Sequence, residues 1–164
     1  MSLTVTAAVG LILAIKVPQT RAEFVDAVAA GRGATKVETV VVERDIDGVY
    51  QTLAERSAAC LDVLVERSGF VGTHWEVSSS DYNPTLERID DGTAAFALQV
   101  EHRPRGVGHK PPPGGLYVFA AEIKALDDSR TEVVLYRPTM GFKKIAASFR
   151  AWLDGDDAGC PKLR

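Results

Sequence analysis

The chain has 164 residues, 46% hydrophobic and 25% charged, with a formal net charge of −3. That length suits one domain around one sizeable core, and the composition lies far from the low-hydrophobicity, high-charge pattern of disorder. The acidic balance withholds the basic field that phosphate backbones reward, so nucleic acid is excluded as an expected partner.

In chain order, Leu3 to Ile15 is an almost uncharged run of signal-peptide length, closed by Lys16, Pro18 and Arg21. It is too short to cross a bilayer, which takes about 20 apolar residues, so no transmembrane span is expected. Two readings stay open: the trimmed remnant of an export signal, or a short element packed on the core. Thr20 and Glu23 make a capping box for a short helix whose apolar face is Phe24, Val25 and Val28, and Gly31 and Gly33 end it. Residues 1–34 are thus expected to hold an apolar segment and a short helix, and residues 35–164 a single α+β domain.

Lys36 to Arg44 is rich in Val and Thr and predicts a strand. Asp45 caps a long amphipathic helix with Ile46, Val49, Tyr50, Leu53, Ser57, Cys60, Leu61 and Leu64 on its stripe. The period then changes to two, with Thr73, Trp75 and Val77 on one face and His74, Glu76 and Ser78 on the other. Asp81-Tyr82-Asn83-Pro84 reads as a turn, followed by a short strand over Thr85 to Ile89 and an Asp-Asp-Gly hairpin into Thr93 to Glu101. Residues 102–115, HRPRGVGHKPPPGG, predict an extended excursion. Leu116 to Lys124 and Thr131 to Tyr136 form a second hairpin, and Phe142, Ile145, Ala146, Phe149, Trp152 and Leu153 set the stripe of a closing amphipathic helix. The expected fold is α+β: an antiparallel sheet of about six strands packed by two long amphipathic helices, with a short N-terminal helix.

No catalytic or metal signature accompanies this layout. The histidines at 74, 102 and 109 are not in a helical HExxH arrangement, and no nucleophile elbow or phosphate loop is present. No cofactor is expected, and enzymatic activity is the less favoured expectation. Cys60 and Cys160 lie too far apart in sequence for a CxxC site; a tail doubling back from the last helix would bring Cys160 to Cys60, which makes them disulfide candidates in an exported protein. His74, Trp75, Tyr82, Phe96 and Phe119 are candidates to line a ligand pocket. His102, Arg103, Arg105, His109 and Lys110 concentrate positive charge that suits an anionic surface. The pairs Asp90-Asp91, Asp127-Asp128 and Asp156-Asp157 are read as turn and tail chemistry.

VVVERDIDGVYQTLAE, and AAEIKALDDSRTEVVLYRP followed by FKKIAASFRAWL, are similar in layout to the opening and closing elements of the helix-grip superfamily, the START and Bet v 1-like proteins. The resemblance covers Lys36 to Asp154. It implies a sheet gripping a helix over a ligand cavity, although here the first helix runs on into LDVLVERSGF without the usual break. The chain also resembles small bacterial envelope proteins, with no lipobox cysteine. The function expected is a non-catalytic binding or structural module of the bacterial cell envelope or periplasm, its partner a small apolar ligand, another envelope protein or a second copy. The alternatives are a cyclase-like or hydrolase-like enzyme in a helix-grip cavity, and a cytoplasmic location. A wide cavity with buried polar groups favours the enzyme, and a solid core with an exposed apolar patch favours the module.

Overall fold

The chain folds as α1 (Arg21–Ala29), β1 (Thr35–Val42), α2 (Ile46–Cys60), β2 (Val63–Val71), β3 (His74–Asp90), β4 (Thr93–Arg103), β5 (Leu116–Asp127), β6 (Arg130–Pro138) and α3 (Lys143–Leu153). The computed structural model describes residues 16–104, 110–156 and 158–163; the apolar run at residues 3–15 lies outside them.

Local chemistry starts two of the helices where the sequence predicts. Thr20 Oγ1 accepts the Glu23 N–H at 3.2 Å while the Glu23 carboxylate accepts from the Gln19 N–H at 2.7 Å, so two orphan donors are satisfied at the head of α1. Asp45 accepts the Gly48 N–H at 2.5 Å and caps α2. α3 has no side-chain cap and starts instead from Phe142 in the left-handed region, φ 48°.

All neighbouring strands are antiparallel, in the order β1-β6-β5-β4-β3-β2, so the two strands flanking α2 are the opposite edges of the sheet. α2 therefore crosses the whole sheet, and α3 lies against it on the same face. Between these helices and the sheet, Phe96, Phe119, Phe149 and Trp152 pack with ring centroids 4.9 to 6.3 Å apart, surrounded by Val49, Leu53, Leu98, Ile123 and Leu135. Truncating one such ring to alanine costs about 3–5 kcal/mol. On the opposite face α1 lays Phe24, Val25 and Val28 over Ala120 and Tyr136.

The C-terminal tail folds back over the helical layer. Trp152 Nε1 donates to the Ala158 carbonyl at 3.1 Å, Ala158 and Leu163 pack on the core, and Cys160 is bonded to Cys60 with their Cα atoms 5.0 Å apart.

Two expectations are corrected. The sheet is not packed by two long helices: α2 has 15 residues and α3 has 11, and with the nine-residue α1 all three are short. α2 stops at Cys60, where the Leu61 and Asp62 N–H groups close on the Ser57 carbonyl, and the predicted continuation through Leu64 is the strand β2. Val63 and Val65, both β-branched, turn toward the core at a step of two, the strand period. The second correction concerns Asp81-Tyr82-Asn83-Pro84, which is strand interior, so the two predicted strands Thr73–Ser78 and Thr85–Ile89 are one 17-residue strand, β3. Pro84 is tolerated there because β2 begins opposite Tyr82, which leaves β3 an edge from Asn83 onward with no ladder donor required on that side.

The proline-rich excursion after β4 is pinned to the sheet where it is described. Gln99 Nε2 donates to the carbonyls of Pro113 and Gly115, both at 2.9 Å, and Asn83 Nδ2 to that of Gly114 at 3.1 Å. Gly115 is required: at φ 100° a Cβ would stand 2.3 Å from the Val100 backbone.

Candidate functional site

β3 continues past the last residue of β4. Ser79 pairs with Arg103, and among the described residues the strand from Ser78 back to His74 has only β2, Arg67 to Val71, as a partner. Among the described residues the end of this hairpin is a two-stranded ribbon that extends about 17 Å beyond the pairing of Ser79 with Arg103. Its register is continuous, so parity assigns the faces: Val63 and Val65 face the core side, and Leu64, Phe70, Trp75 and Val77 share the other. All four are exposed, at 58, 74, 57 and 61% respectively. Phe70 and Trp75, directly opposite each other, meet edge to face with centroids 5.1 Å apart. A two-stranded ribbon has no core of its own to explain such residues.

The predicted ligand residues do not converge. Phe96 and Phe119 are fully buried in the aromatic core. Trp75 points to the face opposite the core. His74 is on the core-side face but past the end of the covered sheet, exposed and paired with Glu76 Oε1 at 2.9 Å. Tyr82 alone of the five lines a groove, an open depression of about 460 Å³ floored by Phe142, Ile145 and Leu163 and rimmed by Lys143, Lys144 and Lys162. His74 stands eight residues along β3 from Tyr82, roughly 26 Å away, and does not reach it.

The basic cluster divides in the same way. His102 and Arg103 belong to β4 rather than to a loop: His102 Nδ1 is 2.9 Å from Ser80 Oγ, and Arg103 pairs with Glu101 at 3.7 Å. The Lys110 carbonyl accepts from Gln19 Nε2 at 3.4 Å. Arg105 and His109 lie outside the described residues.

The remaining charges are structural. Asp90 accepts the Gly92 N–H at 2.8 Å in the β3–β4 turn. Asp127, bonded by Arg130 and by the Ser129 N–H, is held down to about 2. Glu38 on β1 sits against Arg137 of β6 at 2.8 Å, Lys36 at 2.8 Å and Arg150 of α3. Burial pushes the Glu38 carboxyl up, but hydrogen bonds from Lys36 and Arg137 and the charge of Arg150 outweigh it, and the group stays below the usual carboxylate range. Among the described residues no cluster of three or more His, Cys, Asp or Glu side chains is placed to hold a metal, and no helix is long and apolar enough to cross a membrane.

Sequence reasoning missed Leu64, Phe70 and Val77 as surface residues. A signal was present: Phe70-Val71 and Thr73-His74-Trp75 flank Gly72, a hairpin pattern that the helical reading of LDVLVERSGF obscured.

Comparison with known proteins finds no family model that matches the chain and no match among curated proteins.

Proposed function

We propose that this chain is a non-catalytic binding module of the bacterial cell envelope, built on a helix-grip-like frame and presenting one apolar face to a partner. The observation that carries the reading is the Leu64, Phe70, Trp75 and Val77 face, exposed on a projecting ribbon while the interior is filled by aromatic rings. The Cys60–Cys160 bond supports an oxidising compartment, where such bonds persist. The first strand lying beside the last, with helices across one face, supports the helix-grip frame. The enzyme alternative lacks support: its proposed base, His74, is exposed on the ribbon, away from the groove.

The test is compartment and thiol state in the native host. Both cysteines bonded and the protein in the envelope or periplasmic fraction is the expected result; a cytosolic protein with two alkylatable thiols overturns the reading.

A second reading, a small amphiphilic ligand beside Tyr82, is favoured by the groove with its apolar floor and lysine rim. Native mass spectrometry checks it: a retained small molecule, lost on Ile145→Asp, supports it, and a ligand-free protein removes it.

A further inference from the structure

We propose that the groove beside Tyr82 binds a single-chain alkyl carboxylate, its apolar chain on the floor of Phe142, Ile145 and Leu163 and its charged head among Lys143, Lys144 and Lys162; this deepens the amphiphile reading of the groove and rests on it. The floor belongs to the fold, since Ile145 is a buried core residue and Phe142 and Leu163 are partly buried against the same core. Three lysines rim it, and no acidic side chain is among the described residues that line it. At about 460 Å³ the depression falls within the size range of small-molecule sites, roughly 300–1,000 Å³.

Three stretches distant in sequence bring this chemistry together. Tyr82 comes from β3 and is 3% exposed. Met140 to Ile145 are the turn after β6 and the first residues of α3. Lys162 and Leu163 come from the tail, which the bond from Trp152 to Ala158 and the Cys60–Cys160 link hold over the helical layer. The returning tail thus supplies one floor residue and one of the three charges. Lys143 and Lys144 open α3, which has no acidic residue in its first turn and no side-chain cap. Their charges add to the positive end of the helix dipole instead of opposing it, an unfavourable arrangement in the free protein that an anionic head among the lysines relieves.

The lining also decides between occupants. A wholly apolar molecule leaves the three ammonium groups without a counter-charge, and a small inorganic anion leaves the apolar floor uncovered. Met140, 79% exposed, also lines the groove, and its flexible thioether side chain suits closure over an apolar chain. A two-chain lipid seated in a bilayer would engage the lysines and leave the floor unused, whereas a free single chain with an anionic head uses both.

The experiment titrates the full oxidised chain at neutral pH with monomeric decanoate, and with decanol as the uncharged probe of equal chain length, by calorimetry. The expected result is saturable uptake of decanoate about five- to tenfold tighter than that of decanol, the scale set by two or three partly exposed ion pairs. The preference should shrink as ionic strength rises from about 0.01 M to about 0.15 M, while decanol binding stays level. Lys144→Gln/Lys162→Gln keeps the apolar stems and removes two charges, so it should bring decanoate to within about twofold of decanol. Unchanged melting of this variant shows that its fold is intact, as expected for exposed positions. Equal uptake of the two probes by the parent overturns the proposal while the amphiphile reading stands, and uptake of neither removes both. A preference for decanoate that survives in the double variant overturns the proposal by placing the anion elsewhere. Attachment to anionic vesicles without uptake of decanoate overturns it by assigning the lysines to bilayer headgroups.

Discussion

Arg44, two residues past the end of β1, donates from Nη1 to the carbonyl of Leu153 at 3.0 Å and to that of Trp152 at 3.2 Å, and so caps the C-terminus of α3. Its Nη2 serves Gly48 and Thr52 of α2 at 3.0 and 2.9 Å. One guanidinium thereby joins the two helices of the layer. Arg44→Ala is expected to cost about 2–3 kcal/mol, since hydrogen bonds from a charged donor are lost and helix-end carbonyls are left without a partner. Thermal melting should fall by roughly 5–10 °C for a chain of this size. Arg44→Lys should recover only part of that, because an ammonium cannot reproduce the planar fork.

The Cys60–Cys160 bond closes a loop of 100 residues. In the chain-entropy model, Cys60→Ser/Cys160→Ser should lose about 4–5 kcal/mol, read as a lower guanidinium midpoint. Reductant should lower the parent's midpoint toward that of the variant and leave the variant unmoved. Equal midpoints in oxidised parent and variant would contradict this account.

Glu38 links stability to acid. Its folded pKa is depressed, so its contribution is present above the unfolded carboxylate value, about 4.3, and is lost as pH falls through the lower folded value. Glu38→Gln should be less stable than the parent at pH 7, because Arg137 remains buried without its carboxylate. The gap should narrow as denaturation is repeated below pH 4. A gap independent of pH would remove the linkage.

Tyr136 acts at the other end of the scale. Burial, with its hydrogen bond to Glu122 at 2.8 Å, pushes its hydroxyl up to about 12. The folded state then holds a proton that the unfolded chain gives up near pH 10, so stability is full below that pH and declines between about 10 and 12. Tyr136→Phe should flatten this part of the alkaline decline in a urea series, and an unchanged slope would count against it.

The legible parts of the sequence were those in which local chemistry and tertiary packing agree. Thr20, Asp45, Asp90 and Asp127 are caps and turn residues whose side chains bond backbone groups two or three residues away, so their roles are written within a few positions. The stripe through Ile145, Phe149 and Trp152 is continuous because one side of α3 is wholly covered. The ribbon failed on both counts. Leu61 and Leu64 continue the α2 stripe by spacing alone, yet Leu61 is fully buried and Leu64 is an exposed strand residue on the outer face. Along β3 Trp75 and Val77 alternate with polar residues yet stay exposed, so they mimic a half-buried strand. Tyr82 was the one predicted ligand residue placed at a groove; the helix start and tail that complete that groove come from the far end of the chain, a distance that no local pattern encodes. The Glu38 and Arg44 contacts depend in the same way on strands and helices that meet only in the finished fold.

The placement of β1 beside β6 has a consequence for the order of assembly. Among the described strands β1 is the first in chain order, and the strand it pairs with is β6, the last in that order. Until β6 arrives, Val40 and Val42 have no sheet to join, and the covalent link to Cys160 waits longer still. Closure of this sheet therefore waits on contacts between strands far apart in sequence, from Val42 with Thr131 to Thr35 with Pro138, the long-range kind that slows folding.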